Sequence, residues 1–134
     1  MQRTNKFSSF FSMLLVTLAM TACFGSSPER TAEKFLAAAY KGDVETVISL
    51  VDMNEEHGME EMMAGKMKMM VKEAQAKANE LGGVKKIVIE STKFSEDKQR
   101  AGVKVLVIFR KDNFEKREDV SLVKKQDTWK VSIM

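Results

Sequence analysis

The chain has 134 residues, 44% apolar and 31% charged, with 22 basic side chains against 19 acidic ones and single cysteine, histidine, tryptophan and tyrosine residues. That is enough for one domain with one hydrophobic core, and a lone cysteine excludes an intramolecular disulfide. Arg3 and Lys6 precede an apolar run; without them twenty basic residues face nineteen acidic ones, a near-neutral balance that disfavours nucleic acid as a partner.

The N-terminus is the first readable element. Arg3 and Lys6 make a basic start, Phe7 to Ala19 is a 13-residue apolar run, and Met20-Thr21-Ala22-Cys23 follows. The run is shorter than the ~20 residues that cross a bilayer as a helix, and the order of basic start, apolar core and small residues marks a removable signal. Met20-Thr21-Ala22-Cys23 resembles the lipobox of bacterial lipoproteins, with methionine where leucine is usual. The resemblance implies a signal peptide over residues 1–22, a lipidated N-terminus and short tether over 23–27, and one domain over 28–134. Cys23 is then the first mature residue and carries covalent lipid, its thiolate being the nucleophile that takes a diacylglyceryl group, and palmitate is the expected amide-linked chain. The alternative is an ordinary signal peptide with an incidental cysteine. Phe24 stands where an aspartate would resemble an inner-membrane retention signal, so an outer-membrane lipoprotein facing the periplasm is expected.

Ser27-Pro28-Glu29 starts a helix: serine as cap, proline in the first turn, an acid at the positive end of the dipole. Phe35, Leu36, Ala38 and Ala39 form its buried side, and Lys41-Gly42 closes it. Asp43 caps a short second helix carrying Val44, Val47, Ile48 and Val51. Asn54 is placed to cap a third, from Glu55 to Leu81. At 100° per residue, Met59, Met63, Met67, Met70, Val71, Ala74, Ala78 and Leu81 make one stripe. Gly58 and Gly65 suggest a bend or a close helix contact, and Gly82-Gly83 ends the helix.

Beyond Gly83 the period changes to two. Val84 to Thr92 is a strand with Ile87 and Ile89 on one face. Val103, Val105, Val107 and Phe109 alternate with Lys104, Leu106, Ile108 and Arg110, so the second strand is apolar on both faces and central. Asp112-Asn113 turns the chain. Glu115 to Lys125 is a third strand with Val120 and Leu122 inward. Gln126-Asp127 turns it again, and Trp129, Val131 and Ile133 face inward on the last strand. Short turns imply antiparallel neighbours, and helices followed by strands imply an α+β layer fold.

The helix signals Ser27-Pro28-Glu29, Ala32, Phe35-Leu36, Ala38 and Lys41-Gly42-Asp43, with Asp127-x-Trp129-Lys130-Val131 at the end, resemble the domain of unknown function 4878 family of small bacterial lipoproteins. That family is grouped with the nuclear transport factor 2-like superfamily. The resemblance implies a cone: three N-terminal helices packed on a curved four-stranded antiparallel sheet. It supplies no established activity.

Met63, Met67, Val107, Phe109 and Trp129 are the expected lining of a ligand cleft between helices and sheet. Seven methionines between Met53 and Met70, with His57 among them, raise copper handling through His57, Met59, Met63 and Met67, because thioethers are soft ligands for Cu(I). Against it stands core packing, where methionine adapts to irregular space. Enzymes of the superfamily place a polar dyad in the cone. The inward strand positions read as valine, isoleucine, leucine, phenylalanine and tryptophan, and no strand acid clearly points inward beside His57, so a catalytic pair is not expected. The alternative is a small hydrolase or isomerase of the same fold. From Val84 onward 13 basic residues oppose 8 acidic ones, and Lys85, Lys86, Lys104, Arg110, Lys116, Arg117, Lys124, Lys125 and Lys130 are candidates for a basic outer sheet face. The bland alternative is solvation and lysine-blunted strand edges. Phe114 stands beside a turn as a candidate exposed anchor. The expected function is a non-catalytic, lipid-anchored binding or adaptor domain of the cell envelope. It would carry no cofactor besides its lipid and meet an envelope protein or a small apolar ligand.

Overall fold

The computed structural model of the chain describes residues 26–53 and 59–133. Helix α1 spans Pro28–Lys41, α2 Val44–Leu50 and α3 Met59–Glu80. Strands β1 (Val84–Phe94), β2 (Arg100–Phe109), β3 (Glu115–Lys125) and β4 (Thr128–Val131) follow, with a 3-10 turn at Lys111–Asn113. The strands form one antiparallel meander in the order β1-β2-β3-β4, and α1 lies against it. This is the expected α+β arrangement, with β2 inside the sheet.

Local chemistry sets the helix ends. The Arg30 backbone N–H donates to Ser27 Oγ at 3.1 Å and the Thr46 N–H to Asp43 Oδ1 at 3.2 Å, so each cap satisfies an orphan donor. Gly42 terminates α1 in the left-handed region at φ 85°, its N–H reaching the Ala38 and Ala39 carbonyls. Asn54 and Gly58 lie outside the described residues. α3 runs unbroken through Gly65, and a Cβ built there meets nothing within 4 Å, so the expected bend or close contact at Gly65 is not present.

These two glycines predict opposite effects. At Gly42 a Cβ would come within 2.6 Å of the Gln75 amide group, on a backbone that penalises L side chains. Gly42→Ala is expected to cost about 1–2 kcal/mol, whereas Gly65→Ala should gain up to about 1 kcal/mol from helix propensity. Urea unfolding of the two variants checks the signs; a destabilising Gly65→Ala would show that the open face of α3 is not open.

The core forms where α1 meets the inner sheet face. Alternation along β2 puts Ala101, Val103, Val105, Val107 and Phe109 inward and buried. Val120 and Leu122 face the same way from β3, and Trp129 and Val131 from β4. α3 contributes a narrower stripe than its sequence suggests. Met67, Val71 and Ala78 are buried, Met63, Ala74 and Leu81 half-buried, and Met70 is 45% exposed. The reason is that α3 packs chiefly on α1 and α2 and not into the sheet, so only its line of contact is covered.

Two register shifts in β1, between Val84 and Lys86 and between Ile89 and Ser91, bend the sheet around the helices. The opposite edge is covered: Val51 bridges Val131 in parallel, and the Asp52 N–H donates to the Val131 carbonyl at 2.8 Å. The hairpin between β3 and β4 turns through Gln126 and Asp127, both at positive φ, the primed geometry that matches strand twist.

Candidate functional site

Alternation through β3 carries a consequence that composition hides. Residues on the face of Val120 and Leu122 include Glu118 and Lys116, so the inner sheet face ends in a charged pair. Glu118 accepts a hydrogen bond from the Tyr40 hydroxyl at 2.5 Å, and Lys116 Nζ stands 3.5 Å from its carboxylate. An inward acid therefore exists on a face expected to be wholly apolar, while the expectation of no acid beside His57 falls outside the described residues. Its detectable signal was the two-residue period back from Leu122 and Val120.

Tyr40 is buried and packs edge-on against Phe109, with ring centroids 5.3 Å apart. Burial first, and then the hydrogen bond to Glu118 and its charge, hold the phenol well above its ordinary value near 10. The neutral phenol is thus favoured in the folded state. Its stabilisation is complete below the unfolded pKa near 10 and declines as pH rises toward the folded value. Tyr40 is the only tyrosine, so phenolate absorbance reports it alone. Native protein should titrate well above 10, and denatured protein near 10. Glu118→Gln should lower the native value without normalising it, because burial is the larger cause. A native midpoint near 10 would mean that the hydroxyl reaches solvent.

Beside Tyr40 a cleft of about 320 Å³ opens between α1, α3 and β1. Ala37, Tyr40, Ala78, Val84 and Ile87 give it apolar walls, and Gln75 and Asn79 an amide rim. Gln75 Nε2 donates to the Lys41 carbonyl at 3.1 Å, tying α3 to the end of α1 at the mouth. A second, more open cleft of about 660 Å³ lies between the end of α2 and the β3–β4 hairpin, lined by residues including Ile48, Asp52, Lys125 and Lys130. There Lys125 pairs with Asp52 at 3.3 Å, and Lys130 Nζ donates to the Ser49 carbonyl at 2.8 Å.

The residues expected to line a cleft sit elsewhere. Met67, Val107, Phe109 and Trp129 are core residues and Met63 is half-buried; none lines either cleft. They were selected as large apolar inward residues, and such residues fill the core first. Of the copper candidates, Met67 is 1% exposed, His57 lies outside the described residues, and so does the side chain of Met59. No cluster of three histidine, cysteine or acidic side chains with metal-holding geometry occurs among the described residues. Cys23 also lies outside them.

The basic sheet face needs correction. Lys104 on β2 pairs with Asp119 on β3 at 3.3 Å, and Arg117 on β3 reaches across β2 to Glu90 on β1 at 3.1 Å. Lys116 and Lys124 belong to the inner-face register. What remains on the outer face is a mixed-charge surface around half-buried Val88, Leu106 and Ile108. Phe114 is 45% exposed but leans on Phe109, with ring centroids 6.2 Å apart.

Comparison with known proteins agrees with this architecture. A crystal structure described as "Putative NTF2-like transpeptidase" from Campylobacter jejuni is 32% identical, with a TM-score of 0.75, covering 81% of this chain and 100% of that one. The solution structure of a SEC-C motif containing protein from Rhodopseudomonas palustris, 14% identical, shares the fold with a TM-score of 0.51 over 80% of this chain and 76% of that one. No curated protein matches the chain. A family model matches residues 21–132, and the chain with its NTF2-like α+β fold belongs to that family, described as Domain of unknown function (DUF4878).

Proposed function

We propose that this protein is an exported lipoprotein, anchored through Cys23, whose domain binds a ligand at the cell envelope without transforming it. The observation that carries the binding role is the cleft between α1, α3 and β1. At about 320 Å³ it has the scale of a small-molecule or side-chain site, with apolar walls and a few polar groups at its rim. The Tyr40 hydroxyl donates to Glu118, an arrangement suited to fixing one wall of the site. The name of the Campylobacter jejuni neighbour raises acyl transfer as the rival reading. That chemistry needs an activated nucleophile within reach of a base. Glu118 is within reach of the Tyr40 hydroxyl, but burial and the carboxylate's own charge hold the phenol protonated, the opposite of activation. Of the α3 methionines, Met67 serves packing and Met63 does so in part, whereas Met62, Met69 and Met70 are exposed; no metal is required in this reading.

A photo-crosslinking residue at Asn79, on the cleft rim, compared with one at Glu115, exposed on the outer sheet face, tests the proposal in intact cells. A discrete adduct at position 79 and none at 115 is expected. Adducts only at 115 would move binding to the sheet. Any turnover that Glu118→Gln abolishes would replace binding by catalysis.

A further inference from the structure

We infer that the end of the cone carrying Phe94 and Trp129 is a membrane-seating face, docked on the bilayer that holds the lipidated Cys23. The inference rests on the anchoring reading above and adds which surface meets the lipid.

The tether is short and its far end is fixed. Ser26 Oγ accepts a hydrogen bond from the Trp129 backbone N–H at 3.0 Å, and only three peptide steps separate Cys23 from Ser26. At 3.8 Å per step, the lipid attachment point lies within about 11 Å of Ser26. Whatever surrounds Trp129 is therefore held close to headgroups.

What surrounds it is the exposed Phe94 ring, backed by the buried Trp129 ring, with cations beside both. Phe94, at the end of β1, is 46% exposed and meets the Trp129 ring with centroids 6.0 Å apart. Lys98 Nζ stands over the Phe94 ring at 5.6 Å, and Lys124 Nζ over the Trp129 ring at 5.9 Å. Lys93 and Arg100 line a cleft of about 300 Å³ beside Phe94, together with Ser95 and Ser121. Lys93, Lys98, Arg100 and Lys124 form no ion pair among the described residues, whereas Lys104, Lys116, Arg117 and Lys125 do. Acids are present too. Glu96 and Asp97 share the β1–β2 turn and Asp127 the neighbouring turn, so these four cations face three carboxylates, and the hydrogen bonds from the Gln99 N–H and Ser95 Oγ keep Asp97 ionised. Aromatic rings with lysines beside them are the side chains that settle at the level of headgroups, and the cations favour anionic lipid. The opposite pole, at Asp112 and Asn113, lies about 30 Å away along ten or eleven strand residues.

The test uses full-length lipoprotein in vesicles of phosphatidylethanolamine with phosphatidylglycerol. Glu96→Cys and Asp112→Cys each introduce one free thiol for a fluorescent label, since the Cys23 sulfur is a thioether if lipidated. Nitroxide headgroup lipids should quench the label at position 96 roughly fivefold more than at position 112, given the ~30 Å between them. Adding Phe94→Ser with Lys98→Glu should cut the quenching at 96 by about half or more, as the aromatic and cationic contacts are lost. Lys98→Glu alone guards against a folding defect. Equal quenching at the two positions, or quenching at 96 that ignores both variants, would overturn the inference while leaving the anchor intact. Two labelled thiols per chain and no vesicle binding would overturn the anchor itself, and the seating face with it.

Discussion

Phe109→Ala is expected to cost about 3–5 kcal/mol of folding stability, against the 5–15 kcal/mol typical of a whole domain. Phe109 is fully buried at the end of β2, on the inner sheet face. Its ring is edge-on to Tyr40 at 5.3 Å and tilted toward Phe114 at 6.2 Å, so three elements meet on it. Strands around the site are hydrogen-bonded on both sides of β2, which prevents the backbone from collapsing into the void. The loss should therefore sit in the upper part of that range. Urea unfolding should show a midpoint lower by about 1–3 M at an unchanged slope. Phe114→Ala is the control: with 45% of the residue exposed, it should cost under about 1 kcal/mol. A Phe109→Ala loss as small as that of Phe114→Ala would mean that the cone is loosely packed at this end. The same variant should bring the Tyr40 titration closer to 10, because part of the burial that raises it is the Phe109 ring.

Elements whose signals are local were legible from the chain. Ser27, Gly42 and Asp43 act on their own neighbours, and each takes the predicted cap position. The alternation from Val103 to Phe109 predicted both the inner face and the central place of β2, since a strand apolar on both sides needs cover on both. Signals that depend on pairing were not legible. Lys104 and Arg117 read as a basic patch until strand register sets Asp119 and Glu90 beside them. Met70 fits the helical stripe, but stripe width depends on what the helix packs against, and α3 touches mainly other helices. Glu118 stands between the two cases. Its inward direction follows from counting back from Leu122, yet its partner Tyr40 lies 78 residues away on a helix. The cleft was expected between helices and sheet and is found there. Its walls combine Tyr40 and Ile87 with Ala37, Ala78 and Gly83, and the space persists beside those small residues.

Cys23→Ser is expected to abolish palmitate incorporation and to leave the chain uncleaved before residue 23. Serine keeps the size of the side chain but replaces a soft thiolate by a hydroxyl that is protonated near neutral pH, so the thioether cannot form. Each buried methylene of an acyl chain contributes about 0.8 kcal/mol to membrane residence, and one chain alone holds only marginally. Removing a diacylglyceryl group therefore removes far more affinity than the seating face can replace. The leader that remains has a 13-residue apolar run, short of the ~20 residues of a stable span, so the uncleaved form should wash from membranes more readily than the wild type. Intact mass and labelled palmitate decide the matter together. A wild-type mass beginning at residue 23 with added acyl mass, and no label in the variant, is the expected result. A wild-type protein with a free thiol at Cys23 would make the leader an ordinary signal peptide. The bond from the Trp129 N–H to Ser26 Oγ would then hold down a free N-terminus and not an anchor.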